Sequence, residues 1–197
     1  MNHFISRVVY MGEVRALSDH WRHLTGLNAH TLDQLMAEYG QTVWNFAFLL
    51  VKHRAMADDI TQDVFLNVYR RFGEYRGEAS IRTWLLRITH NVSMNYLRSA
   101  FFRRALLVDR IRGRGSGMSA EEEFIEREAA NEVWRLVFRL PAKYREVLVL
   151  QAKYELSVAE IADILDIPVG TVKSRLFAAR RRLSAMLGKE EMLHEAT

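Results

Sequence analysis

The chain has no cysteine in its 197 residues and only two prolines, Pro141 and Pro168. The first absence excludes disulfides and thiolate-held metals and fits a reducing compartment. The second leaves long stretches with nothing to break a helix. No apolar run is long enough to span a bilayer. The start, MNHFISRVVYMGEVR, lacks the charged-then-apolar design of a secretory signal. A cytoplasmic location is therefore expected. Alternating β-branched runs are scarce, which points to an all-helical chain. There is no phosphate-binding loop of the G-x-x-x-x-G-K-S/T form, no Ser-His-Asp context and no His/Glu set at metal spacing. No enzymatic activity in isolation, no cofactor and no small-molecule substrate are expected. His20 and His23 stand three apart on a possible helix, but a metal site needs three or four ligands and no third lies near.

What is present is ordinary globular material, 49% hydrophobic and 26% charged, with a formal net charge of +4. That is enough apolar matter for one core or two small ones. The mild basic bias permits nucleic acid as a partner without demanding it. The most informative stretch is LSVAEIADILDIPVGTVKSRLFAARRRLSAML, Leu156 to Leu187. Ser157 and Glu160 are spaced as a capping box. Ile161, Ala162 and Leu165 form the stripe of a short helix, and Asp166-Ile167-Pro168 ends it, because the residue before a proline avoids helical angles. Val172, Leu176, Ala179, Leu183 and Met186 set the buried side of a second helix. Lys173, Ser174, Arg175, Arg180 and Arg181 lie on its other face. A short helix, a tight turn and a longer helix with a basic face predict a helix-turn-helix whose second helix fits a DNA major groove.

Upstream, Val14, Leu17, Trp21 and Leu24 suggest a short helix within residues 1–28, with Gly26 as its C-cap. Thr31 to His53 predicts a long helix with Leu32, Leu35, Met36, Tyr39, Val43, Phe46, Ala47 and Leu50 inside. Met56 to Phe72 predicts a second, with Ile60, Val64, Phe65 and Val68 buried. Asp58 and Asp59 are expected in its first turn, where carboxylates suit the helix dipole. A polar loop, GEYRGEA, leads to Ser80, which caps a third helix from Ile81 to about Arg98. Trp84 is expected in its core. Arg82, Arg87, His90, Asn91, Asn95 and Arg98 are expected outside, a mixture that suits unpaired nucleic acid. GRGSG, residues 113–117, is the strongest linker signal. Glu121 to Leu140 and Ala142 to Tyr154 predict two further helices. The expected organisation is an extension over 1–28, a helical domain over 29–100, a linker over 101–120, a helix-turn-helix domain over 121–188 and a frayed tail over 189–197.

Three blocks in this order resemble the extracytoplasmic-function (ECF) class of bacterial sigma factors of the sigma-70 family. They are DDITQDVFLNVYRRF, SIRTWLLRITHNVSMNYLR, and LPAKYREVLVL with the helix-turn-helix after it. The likeness runs from about Leu32 to Leu187. It implies an all-α fold of two small domains joined by a flexible linker: a three- or four-helix sigma region 2 and a region 4 helix-turn-helix. Core RNA polymerase is the implied partner, through its clamp coiled coil and flap, with Asp58, Asp59, Gln62 and Asp63 on the docking face. Promoter DNA is the second. Tyr75, Arg76, Gly77, Glu78 and Ala79 would receive an extruded −10 base, with Asn91, Asn95 and Arg98 along the strand. Lys173, Ser174, Arg175 and Phe177 would face the −35 groove, Arg175 as the candidate for a guanine edge. Arg180 and Arg181 would meet the backbone. An anti-sigma factor is implied as well. Two features depart from the pattern: Asn95 stands where many relatives have aspartate, and the linker RRALLVDRIRGRGSG is basic where relatives are often acidic. A LuxR-like helix-turn-helix regulator is the alternative, since its recognition helix shares the TVKSR pattern.

Overall fold

The apolar stripes close on one another in two helical groups. In the computed structural model, which describes residues 29–107 and 132–195, the first group is α1 (Ala29–Val51), α2 (Arg54–Arg71), a 3-10 turn (Phe72–Glu74) and α3 (Ile81–Leu107). The second is α4 (Glu132–Arg139), α5 (Ala142–Ala152), α6 (Val158–Leu165) and α7 (Val169–Glu195). The extension over 1–28 with Gly26, the GRGSG segment and the first part of the helix expected from Glu121 lie outside the described residues.

The expected stripes are the core of the first group. Leu35, Val43, Phe46, Ile60, Val64, Val68, Ile81 and Leu85 are all buried. Met36, expected inside, is 43% exposed. Boundaries shift by a few residues. α2 begins at Arg54, capped by His53, whose Nδ1 accepts from the Met56 amide at 3.2 Å. Asp58 and Asp59 are therefore beyond the first turn and not in it. α3 runs on to Leu107, past the expected end near Arg98 and into the stretch read as linker. α7 continues to Glu195, into the stretch read as tail.

The helix-turn-helix forms as its sequence prescribes. Glu160 N–H donates to Ser157 Oγ at 3.2 Å and Ser157 N–H donates to Glu160 Oε2 at 2.9 Å, completing the capping box. Asp166 closes α6 in the left-handed region at φ 52°, a conformation a short polar side chain tolerates. The chain then re-enters a helix at Val169, directly after Pro168, whose carbonyl accepts from the amides of Thr171 and Val172.

Two helices are each buried on all sides over one stretch. Asn45 to Leu50 of α1 and Arg145 to Leu150 of α5 are six-residue runs with every side chain buried. An amphipathic helix buries one stripe, whereas one buried all round has neighbours on both sides. α1 packs on α2 and α3 with one side and meets α5 with the other. Phe46 meets Tyr154 edge to face at 5.9 Å, and Phe48 meets Phe138 at 6.1 Å. The two groups share one continuous core.

Backbone carbonyls complete the joint. Arg145 is 5% exposed. Its Nε donates to Leu49 O at 3.0 Å, across the joint. Its Nη1 donates to Phe138 O at 3.2 Å and Leu140 O at 3.0 Å. Lys52, the left-handed residue after α1 at φ 53°, donates from Nζ to Phe138 O at 2.7 Å. Arg82 donates to Tyr154 O at 2.9 Å, and Tyr154 Oη donates to Thr42 O at 3.3 Å. Arg82 and His90, expected on the outer face of α3, thus turn toward the second group, because α3 packs on α6 along that side.

Candidate nucleic-acid interface

The loop over Tyr75–Ala79 is shaped by an aromatic cluster. Tyr75 lies 5.2 Å from the Trp84 ring and 5.9 Å from Phe72, and Phe72 meets Trp84 edge to face at 6.1 Å. Trp84, expected in the core, is half-buried in this cluster. Tyr75 Oη donates to Ala79 O at 2.8 Å, tying the two ends of the loop together. Gly77 takes φ 69° between them, where a side chain would be strained. Arg76 and Glu78 point to solvent. Ser80 Oγ then accepts from the Thr83 amide at 3.1 Å and opens α3. Asn91, Asn95 and Arg98 are exposed on α3 at spacings of four and three, one line along one face.

The acidic face of α2 is more structured than its sequence suggests. Asp58, Asp59 and Gln62 are exposed. Asp58 Oδ1 accepts from Trp44 Nε1 at 2.6 Å. Asp63 is half-buried, and its Oδ2 accepts from Tyr96 Oη at 2.6 Å, bracing α2 on α3. Leu66 and Tyr69, both about half exposed at 51% and 52%, continue the outward line of Gln62. The sequence reading missed them. Their signal was an apolar residue off the buried stripe of Ile60, Val64 and Val68.

On α7, Val172, Leu176 and Ala179 are buried. Successive residues turn by about 100° around a helix, which puts Ser174, Phe177 and Arg181 roughly opposite that stripe. Those three and Lys173 are exposed, Phe177 most of all at 69%. Arg175 does not join them. It stands on the flank, its side chain 25% exposed, and its Nη1 donates to Glu146 Oε1 at 3.0 Å. Arg180 Nη2 donates to Gln151 Oε1 at 2.7 Å, and Arg182 lies over the Tyr144 ring at 4.9 Å. Glu146, Gln151 and Tyr144 all belong to α5.

Glu146 is itself buried, its side chain 11% exposed. Burial pushes its carboxyl above the usual range, and Arg175 and Arg145 pull it back. On its other side Glu146 Oε2 lies 3.9 Å from His90 Nε2, too long for a hydrogen bond. Burial holds His90 below its ordinary value, and the cation at Arg98 adds to that. Glu146 therefore stands between the helix of the Asn91 line and the helix of the Phe177 face. Neither Arg145 nor Glu146 was read as a functional or core residue from the sequence.

Among the described residues no group of three or more His, Asp or Glu side chains could hold a metal. No described helix is long and apolar enough to cross a membrane.

Comparison with known proteins is consistent along the chain. The family model for sigma-70 region 2 matches residues 35–101, and that for sigma-70 region 4 matches residues 130–183. The ECF RNA polymerase sigma factor SigM of Mycobacterium tuberculosis is 30% identical over 166 residues, 84% of this chain and 81% of the relative. The ECF RNA polymerase sigma-E factor of Haemophilus influenzae is 33% identical over 149 residues, 70% of this chain and 78% of the relative. Among solved structures, CnrH in complex with the cytosolic domain of CnrY matches with a TM-score of 0.60 at 25% identity, covering 89% of this chain and 97% of that one.

Proposed function

Because the chain belongs to the ECF class of the sigma-70 family and so directs promoter-specific transcription initiation, we propose how its surfaces divide that work. The first helical group docks on core RNA polymerase through Asp58, Asp59, Gln62 and the edge of Asp63, with Leu66 and Tyr69 adding apolar area. It reads the melted −10 strand with the loop from Tyr75 through Arg76, Gly77 and Glu78 to Ala79, and with the line of Asn91, Asn95 and Arg98. The second group reads the duplex −35 element through α7. Lys173, Ser174 and Phe177 face the groove, Arg180 and Arg181 meet the flanking backbone, and Arg175 serves that face from the flank. The protein does no chemistry of its own. It confers promoter choice on the polymerase in the cytoplasm.

The observation that carries this reading is the presence of two separate outward faces on one chain. One is a closed loop with amides beside it, suited to an unstacked base. The other is an exposed helix face with cations and one aromatic ring, suited to a major groove. Unpairing costs a few kcal/mol, which base capture and polymerase contacts offset. A LuxR-like regulator has no need of a region 2, and the match over residues 35–101 leaves that alternative without support. An anti-sigma factor is the third partner we propose. The complex of CnrH with the cytosolic domain of CnrY supports a protein regulator of this kind.

Run-off transcription tests the division of work. Core polymerase is presented with a library of promoter fragments, with and without this protein. Transcripts from a defined promoter set, appearing only with the protein, are expected and give both motifs. Active core with no added transcripts, while the protein still binds duplex DNA alone, overturns the proposal.

A further inference from the structure

We infer that Glu146 and Arg175 are positioning residues for −35 reading: together they fix the rotation of α7 from its flank, and neither reads a base. The inference rests on the assignment of α7 to the −35 duplex made above. Arg175 is the residue whose type best suits a guanine edge. Yet its guanidinium is directed at Glu146 Oε1 at 3.0 Å, and Glu146 is buried. Reaching a groove would require leaving that carboxylate behind. A buried carboxylate stripped of its partner is costly, so the pair resists such a swing.

The position of Arg175 agrees. About 100° per residue sets it beside the buried stripe of Val172, Leu176 and Ala179, on the side away from Lys173. The exposed apex is Ser174, Phe177 and Arg181. Two further contacts hold α7 to the same helix, Arg180 to Gln151 and Arg182 to the Tyr144 ring. Those two are surface contacts with modest energies. The Glu146–Arg175 pair is the one shielded from water, and so the one that resists rotation. A small rotation of α7 moves Lys173, Ser174 and Phe177 together. Misplacement of the pair therefore degrades reading at several base pairs at once, whereas loss of a base-reading arginine degrades one.

The test uses the full chain with core polymerase and a matched promoter from the run-off library. Every −35 base pair is substituted singly, and the preference for the matched base is measured for wild type, Arg175→Ala, Arg175→Lys and Glu146→Gln. Each is assayed well below its own melting temperature. The expected result is a several-fold loss of preference at more than one base pair in Arg175→Ala. Glu146→Gln should show the same pattern, although Glu146 is buried beneath α7. Arg175→Lys, which keeps one cationic donor, should recover part of it. The double variant Arg175→Ala/Glu146→Gln should lose no more than the worse single variant. A loss confined to one base pair in Arg175→Ala, roughly 5- to 150-fold there, with Glu146→Gln like wild type, overturns the inference in favour of base reading. Unchanged preference in all variants overturns it in favour of a purely structural pair. Absence of promoter-specific transcripts with the wild-type protein instead removes the functional reading on which it rests.

Discussion

Replacing Arg145 by methionine tests whether the two helical groups are joined as described. Methionine keeps the apolar stem and much of the volume, so the cavity term is small. What is lost is a cation that donates to the carbonyls of Leu49, Phe138 and Leu140 at 3.0, 3.2 and 3.0 Å. A hydrogen bond from a charged group contributes about 1.5–3 kcal/mol, and a carbonyl left buried without a donor costs more than the bond gained. Phe138 O keeps Lys52 Nζ at 2.7 Å, so that cost falls on Leu49 O and Leu140 O. The three share one guanidinium and are not additive. The expected loss is about 3–5 kcal/mol, from two to three charge-assisted bonds counted less than additively. Urea unfolding, followed by circular dichroism and by tryptophan fluorescence, reads it. Wild type should unfold in one transition, because the groups share a core. Arg145→Met should shift the midpoint and separate the two signals, as only one of the three acceptors lies across the joint. Arg135→Met, at an exposed position of α4, is the control and should stay within about 0.5 kcal/mol of wild type. A loss below about 1 kcal/mol for Arg145→Met would refute the reasoning, since water would then be satisfying those carbonyls.

Three further outcomes are expected. Glu160→Gln removes the charge from the capping box and should cost about 1 kcal/mol. Burial opposes ionisation of Glu160, but the Ser157 amide and hydroxyl and Thr83 outweigh it and hold the carboxyl below its ordinary value of 4.5. Its share of stability is present above that value and lost as pH falls through the folded-state value, so the variant should show a flatter acid limb in a melting series. His90 lies below 6.5 in the fold through burial, with Glu146 and Arg98 the charged groups near it. The folded state thus resists its protonation, and stability should decline as pH drops from about 6.5, a slope that His90→Gln should remove. Asp59→Lys should weaken binding to core polymerase with an unchanged melting temperature. Asp63→Lys should lower both, because it also breaks the bond from Tyr96; equal melting temperatures for the two would show that the brace contributes nothing.

The helix-turn-helix was legible because its signals are local. The Ser157–Glu160 spacing and Pro168 act within a turn or two of themselves, and both appear as read. The stripes of α2 and α3 were legible for a similar reason, since a 3.6-residue period reports one buried side. The second burial of α1 was not. Phe46 to Leu50 is an unbroken apolar run, and such a run has no period to name a second neighbour. Arg82 and His90 were read as surface residues because they lie off the stripe that packs on α1 and α2. The neighbours that cover them lie far on in sequence, Tyr154 for Arg82 and Glu146 for His90. Arg175 was legible as a type and not as a contact. A basic residue on a recognition helix reads as a DNA ligand until its acidic partner, 29 positions earlier, is known. Asp63 was likewise legible as an acid on the outer side of α2 and not as a contact, its partner Tyr96 lying 33 residues away.

The shared core also sets a schedule for synthesis. Leu49 and Lys52 meet Arg145 and Phe138 across 96 and 86 residues of chain. A ribosome adds about 5–20 residues per second, so the second partner of α1 follows α1 itself by roughly 5–20 s. Through that interval α2 and α3 can close on one side of α1 while Phe48 and Leu49 stay uncovered on the other. Nascent chains of this protein should therefore present a specific, short-lived apolar patch to holdase chaperones. The patch should vanish when α5 emerges, and slowing translation between the two halves should prolong it.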